Sequence, residues 1–247
     1  MNSHAHSTPR KVALVFGGSR GIGAAVVARL ADDGYAVAFT YVSRADKAKE
    51  LTDAIASRGG EALAIAADSA DAAAIRRATG EAVERFGPLR VVVVNAGLLR
   101  LNPIDKVSVD ELDRMLDVNV RGVYLAVQAS VSEMLDGGRV ITIGSNVAIS
   151  TGISGGSVYQ LTKGAVAAMV KGVALDLAPR RITVNNVQPG PIETDMTAGM
   201  GEMLSGMSPL RRVGRPEEVA GLVSYLAGDE AGYITGTSLT IDGGLTL

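Results

Sequence analysis

Lys11-Val-Ala-Leu-Val-Phe16-Gly17-Gly-Ser-Arg-Gly-Ile-Gly23 decides the fold. An apolar, β-branched run reads as a buried strand, and the Ala-rich segment from Ala24 to Asp33 behind the glycines reads as a helix. A glycine cluster between strand and helix lets the backbone approach a phosphate, which the helix N-terminus favours through its free amides and its dipole. The spacing, Gly17-x3-Gly21-x-Gly23, departs from the Gly-x-Gly-x-x-Gly of ordinary dinucleotide folds. Read alone it fits either a phosphate cradle or a simple turn. Its place in the first strand-turn-helix unit favours the cradle.

Downstream the same alternation repeats. Strands are expected at Tyr35–Tyr41, Glu61–Ala66, Arg90–Asn95, Arg139–Gly144, Arg181–Gln188 and Ile234–Asp242, with helices at about Ala45–Arg58 and Ala70–Phe86 between the earlier ones. Ser108-Val-Asp-Glu111 has the form of a capping box, opening a long helix through about Met134, with the poor helix former Asn119 in its interior. Arg215-Pro216-Glu217-Glu218 starts the last helix, with proline and acids where the helix dipole wants them. No composition break or internal repeat divides the chain. One α/β domain over residues 11–247, with a doubly wound sheet, accounts for it.

Composition sets further bounds. A net charge of −2 and no basic surface argue against nucleic acid, and no apolar run approaches the ~18 residues of a membrane helix. Zero cysteines exclude disulfides and thiolate chemistry, and fit a reducing, cytoplasmic setting. Residues 1–10 are expected to be a flexible tail, with His4 and His6 solvated and no metal site. As these are the only two histidines, a His-based triad in the body of the chain is excluded.

The chemistry centres on Ser145 to Lys163. Tyr159 and Lys163 stand four apart on one helical face, where an ammonium can favour the phenolate and so make a general acid and base. Ser145, at the end of the preceding strand, is placed to hold a substrate oxygen. At the end of the second strand, Thr40-Tyr41-Val42-Ser43-Arg44 has no carboxylate before Asp46, whereas Arg44 with Ser43, and Arg20 in the glycine loop, suit a 2′-phosphate. That combination points to NADP(H). The segment Ile192 to Val213, with Met196, Met200, Met203 and Met207 among three glycines, reads as a lid over an apolar pocket or as an amphipathic helix with methionine core filler.

In their order and spacing these pieces resemble the short-chain dehydrogenase/reductase family across Lys11 to Leu247. The matching residues are the glycine loop, Asp68, Asn95-Ala-Gly97, Asn119, Ser145, Tyr159-x3-Lys163, Pro189-Gly190 with Ile192-Glu-Thr194, Thr235-Gly236 and Asp242-Gly-Gly. The resemblance implies a seven-stranded parallel sheet in the order 3-2-1-4-5-6-7. It implies that Tyr159 gives a proton to a carbonyl oxygen, that Lys163 binds the nicotinamide ribose and lowers the Tyr159 pKa, that Ser145 orients the substrate and that Asn119 holds a water in a proton relay. It places the pyrophosphate on Gly17, Ser19, Arg20, Gly21, Ile22 and Gly23, and the adenosine end near Tyr41, Ser43, Arg44, Asp68, Ser69, Asn95, Ala96 and Gly97. Pro189, Gly190, Ile192 and Thr194 fall to the nicotinamide end. The expected partner is a small carbonyl or alcohol substrate, its pocket walled by Leu98 to Arg100, Val147 to Ile153 and the lid, in a homotetramer formed through the long helices.

Three departures stand out. Phe16 replaces the family's usual threonine, Val94 replaces the first asparagine of Asn-Asn-Ala-Gly, and Tyr159 follows Ser145 by fourteen residues where thirteen is more common. Narrower likeness divides between 3-oxoacyl-(acyl-carrier-protein) reductases and a cyclic-di-GMP-binding branch associated with biofilm dispersal. These imply an enzyme and a ligand-binding regulator respectively.

Overall fold

The computed structural model describes residues 10–150, 152 and 154–247. The tail at 1–9, with His4 and His6, and Thr151 and Ile153 of the expected pocket wall lie outside the described residues.

Seven strands form one sheet: β1 (Val12–Phe16), β2 (Ala36–Tyr41), β3 (Ala62–Ala66), β4 (Leu89–Val94), β5 (Met134–Ile143), β6 (Thr183–Pro189) and β7 (Ser238–Ile241). All neighbours are parallel, in the order β3-β2-β1-β4-β5-β6-β7, as the resemblance implied. Side chains on each strand alternate between two cores. Val12, Leu14 and Phe16 face a layer built from α3 (Ala72–Phe86), α5 (Gly122–Val131) and α6 (Ser157–Leu177). Ala13 and Val15 face α1 (Gly21–Asp32), α2 (Ala45–Ser57) and α8 (Pro216–Ala227). With both faces covered, the central strands can be apolar throughout, which is why they show so clearly in the sequence.

Local chemistry sets most helix ends. Asp71 caps α3 by accepting from the Ala73 amide at 2.8 Å, and Gly87, at φ +97°, ends it. The helix expected from Ser108 to Met134 is instead three pieces. These are α4 (Val109–Leu116), a π-helical turn (Asp117–Arg121) and α5, which ends at Val131 because Met134 already belongs to β5. Ser108 does cap α4, accepting from Glu111 N at 3.1 Å, but the Glu111 carboxylate turns to Asn102 Nδ2 at 2.7 Å rather than closing the box. The final strand is also shorter than expected, since Gly236 at φ +70° turns the chain just before it.

The π turn packs against the loop after β3, with nothing but hydrogen on the Gly122 Cα between them. A Cβ there would collide with the Ser69 carbonyl oxygen and lie 2.9 Å from that of Asp117. Gly122→Ala is therefore expected to destabilise the protein by ~1–3 kcal/mol. At ~2–4 °C per kcal/mol for a chain of this size, thermal unfolding followed by circular dichroism should show a drop of several degrees.

Candidate active site

At the C-terminal edge of the sheet the chain order reverses between β1 and β4, the position where ligands bind open α/β sheets. The glycine loop lies there. Gly17, at φ +80°, has room for no Cβ, because one would sit 2.8 Å from Ala96 N. A Cβ on Gly23 would strike the Gly17 carbonyl oxygen, which itself accepts from Asn95 Nδ2 at 2.7 Å. Thr40 at the end of β2 completes the tie, its Oγ1 accepting from Gly17 N at 2.9 Å. Thr40 and Asn95 thus hold the loop, so Phe16 costs it no anchor. Thr40 was not anticipated as a site residue, although a threonine closing an apolar strand was a visible signal.

Lys163 projects from α6 into the floor of the cleft and is buried, with Nζ donating to the Ile143 carbonyl at 2.9 Å. Burial lowers its pKa to about 8. Tyr159, one turn earlier, is half-buried, and its ring centroid lies 5.7 Å from that ammonium. Burial pushes the phenol pKa up, and a hydrogen bond from Ser145 pulls it back. The expected lowering by Lys163 is therefore corrected. Within the protein Ser145 opposes desolvation, and the lysine is turned toward a backbone carbonyl. The fourteen-residue spacing nevertheless brings Ser145 to Tyr159.

Asn119 is also buried, and its placement explains the π turn. Its Oδ1 accepts from Leu98 N at 2.7 Å, while Nδ2 donates to Leu98 O at 2.8 Å and to Thr162 Oγ1 at 3.2 Å. One extra residue in the turn aims the amide inward, a use of π-helical geometry common at functional sites. The side chain thus fixes the backbone after β4. Thr162, donating to the Tyr159 carbonyl at 2.7 Å, links Asn119 to the tyrosine and was missed in the sequence. Asn119 Oδ1 and Lys163 Nζ both lie 3.5 Å from where a Gly97 Cβ would stand, so the three converge.

Toward the other end, Ser19, Arg20, Arg44 and Lys47 share a cavity of about 450 Å³ with Glu50 and Asp195. Each arginine already has a carboxylate partner. Arg44 meets Asp46 through two hydrogen bonds of 2.7 and 3.0 Å, and Arg20 meets Asp195 at 3.4 Å. Tyr41 ends β2 and Ser43 follows it in the bend before Arg44; neither lines this cavity. Asp68, expected at an adenine edge, accepts from Ala70 N and Arg114, each at 2.9 Å, and Ser69 is buried beneath the π turn.

The segment after β6 is closed at its base. Glu193 N donates to Gly214 O at 2.8 Å and Gly214 N to Pro191 O at 3.0 Å, so residues 192–213 leave and return through one neck. Within it, α7 (Gly201–Met207) buries Leu204, while Met196, Met203 and Met207 stay exposed. Thr194 reaches the glycine loop, its Cγ2 lying 3.1 Å from a Gly21 Cβ position, but the Ile192 side chain is buried in the core.

A glycine cradle at the strand crossover, with serine, tyrosine and buried lysine opening beside it, matches one family. The chain is a short-chain dehydrogenase/reductase. Residues 17–246 match the family profile described as enoyl-(acyl carrier protein) reductase. A solved short-chain dehydrogenase/reductase from Serratia marcescens is 51% identical, with a TM-score of 0.94 over 98% of this chain and 100% of its own. A short-chain dehydrogenase from Burkholderia cenocepacia, solved in complex with NADP, is 42% identical, with a TM-score of 0.94 and coverage of 98% and 100%. The cyclic-di-GMP-binding biofilm dispersal mediator protein of Escherichia coli is 41% identical over 94% of this chain and 96% of its own.

The lysine yields a prediction that does not depend on substrate. Its folded pKa, about 8, lies below the unfolded value of 10.5, so between these pH values the unfolded chain holds more protons and folding stability rises with pH. Relative to Lys163→Met, the wild type should gain up to about 3 kcal/mol between pH 8 and 10.5. Urea denaturation of both proteins across that range measures the gain.

Proposed function

We propose that this short-chain dehydrogenase/reductase is an NADPH-dependent carbonyl reductase, with Tyr159 as the proton donor. The observation that carries this reading is the meeting of Ser145 and Tyr159 beside buried Lys163, at the mouth of a cradle where Gly17 and Gly23 leave no space for a Cβ. The residues fit a dinucleotide. Gly17 to Gly23 with the α1 N-terminus suit the pyrophosphate, and Gly97, next to Lys163 and Asn119, leaves the floor open for a ribose. Bound there, NADPH supplies the hydride for a carbonyl carbon.

The chain does the rest. The Ser145 and Tyr159 hydroxyls hold the carbonyl oxygen, and the phenol, kept protonated by its burial, hands over its proton as negative charge builds there. Lys163, cationic at neutral pH, steadies the ribose hydroxyls. Arg20 and Arg44 exchange their aspartate partners for the 2′-phosphate. Exposed Ile149, Met196, Met203 and Leu210 along the pocket wall and lid support a fairly apolar ketone. Exposed Tyr124 on α5, and Leu161 and Leu175 on α6, support a homotetramer built through these helices, and the absence of cysteine supports the cytoplasm. Among the described residues no helix is long and apolar enough to cross a membrane.

A second reading, a cyclic-di-GMP-binding regulator, rests on the 41% identity to the dispersal mediator. The complete Ser145, Tyr159 and Lys163 set favours the enzyme, since a binding protein needs no proton donor. A panel of ketones with NADPH and NADH, alongside calorimetry with cyclic-di-GMP, separates the two. Turnover supports the reductase; tight dinucleotide binding without turnover supports the regulator.

Tyr159→Phe is expected to lose at least about a hundredfold in kcat with NADPH affinity nearly unchanged, by steady-state kinetics and nucleotide fluorescence. Near-normal turnover would remove Tyr159 from the mechanism. Replacing Arg20 and Arg44 together by alanine should weaken NADPH at least about tenfold more than NADH, the scale of one lost charge-assisted contact. Equal weakening of both cofactors would place the 2′-phosphate elsewhere.

A further inference from the structure

The Asp242-Gly-Gly motif near the C-terminus has no part in the chemistry above, yet it touches three pieces of the site. Four donors converge on the Asp242 carboxylate. Gly244 N lies 2.9 Å from Oδ1, while Thr246 N, Thr246 Oγ1 and Asn146 Nδ2 lie 3.1, 2.9 and 3.3 Å from Oδ2. Asn146 is the residue after Ser145 and is itself buried. At Gly190, the end of the Pro-Gly motif, a Cβ would lie 2.6 Å from Asp242 Cβ, and Gly190 N donates to Ile241 O at 3.0 Å. The next residue, Gly243, offers its carbonyl to Ser208 Oγ at 3.2 Å and to Leu210 N at 3.3 Å. Ser208 follows α7 directly and is buried, so this contact fixes the C-terminal foot of the lid.

We infer that Asp242 is a positioning residue, whose carboxylate holds one turn that aligns the Ser145 segment, the Gly190 end of β6 and the foot of the lid. A neutral side chain cannot do the whole task. An asparagine can keep three donors on its oxygen, but its NH2 then faces the Gly244 amide, donor against donor. The carboxylate is also stable as an anion. Burial raises its pKa, but the bonds from Thr246, Asn146 and Gly244 outweigh this and hold it below the usual carboxylate value. The inference rests on the carbonyl-reductase reading for what the alignment serves. The alignment itself can be read without any substrate.

The test is hydrogen–deuterium exchange with mass spectrometry on the full chain, comparing wild type, Asp242→Asn and Asp242→Ala. In Asp242→Ala, amides in 146–150 and 208–212 should exchange at least about tenfold faster, as expected when hydrogen bonds to a charged group are lost, with β1 to β3 unchanged. Asp242→Asn should loosen 208–212 while sparing 146–150, because its oxygen still receives Asn146. Wild-type exchange in both segments, or an even rise along the whole chain, would overturn the inference; if the alanine variant does not fold, the asparagine variant decides by the same criterion. Kinetics give the second arm. On a ketone that the wild type reduces, kcat of Asp242→Ala should fall at least about tenfold further than its NADPH affinity, and an unchanged kcat would likewise overturn the positioning role. Segmental loosening with no ketone turned over even by the wild type would refute the reductase and leave the alignment standing.

Discussion

A buried ammonium, held by one backbone carbonyl, is the constraint from which the site is built. Lys163 donates to Ile143 O at the C-terminal end of β5, so the long helix α6 is pinned to the central sheet where the strands end. A charge taken out of water this way is expensive, and its lowered pKa measures that expense. Such a residue persists only where the surrounding apolar core is large enough to carry it. The two cores on either face of the sheet provide that excess. Once Lys163 is fixed, Tyr159 is fixed one turn away, and the Ser145 segment that follows Ile143 runs directly beside both.

The other side of the cleft is fixed by backbone contacts. Asn119 clamps Leu98 through both its amide and its carbonyl, and Asn95 and Thr40 clamp Gly17. These three side chains bond main-chain atoms in the loops that follow β4 and β1. The candidate reacting groups therefore stand beside regular elements, apart from the segment beyond Pro191 that enters and leaves through the neck at Gly214. Firmly held groups suit hydride transfer, since it demands alignment of the reactants.

How much of this could be read from the chain depended on whether the deciding forces were local. Buried parallel strands are apolar on both faces, so β1 and β4 announced themselves, whereas the α3 cap at Asp71 fell inside a helix expected to begin at about Ala70. The break in the helix around Asn119 did not announce itself. It depends on Leu98, twenty-one residues away, and on Gly122 admitting the Ser69 carbonyl, which no helical periodicity encodes. The same limit applied to the tyrosine. Four-residue spacing correctly put Lys163 beside Tyr159, but the balance between desolvation and hydrogen bonding turned on where the lysine pointed and how deeply the ring was set. Order and spacing of motifs located the residues; tertiary contacts decided what each one does.

Coenzyme choice follows the same reasoning at the surface. Arg44 with Asp46, and Arg20 with Asp195, are exposed pairs, and such pairs are worth little because water screens them and competes for both partners. Giving up an aspartate therefore costs each arginine little. On the proposed reading, a 2′-phosphate, with more negative charge and more acceptor oxygens than a carboxylate, replaces those contacts with stronger ones. A cofactor carrying only a ribose hydroxyl at that position gives the arginines no reason to leave. The aspartates thus set the threshold, and the phosphate is the group able to exceed it. Asp195 sits on the segment between Pro191 and Gly214, so its contact with Arg20 ties the near end of that segment to the glycine loop.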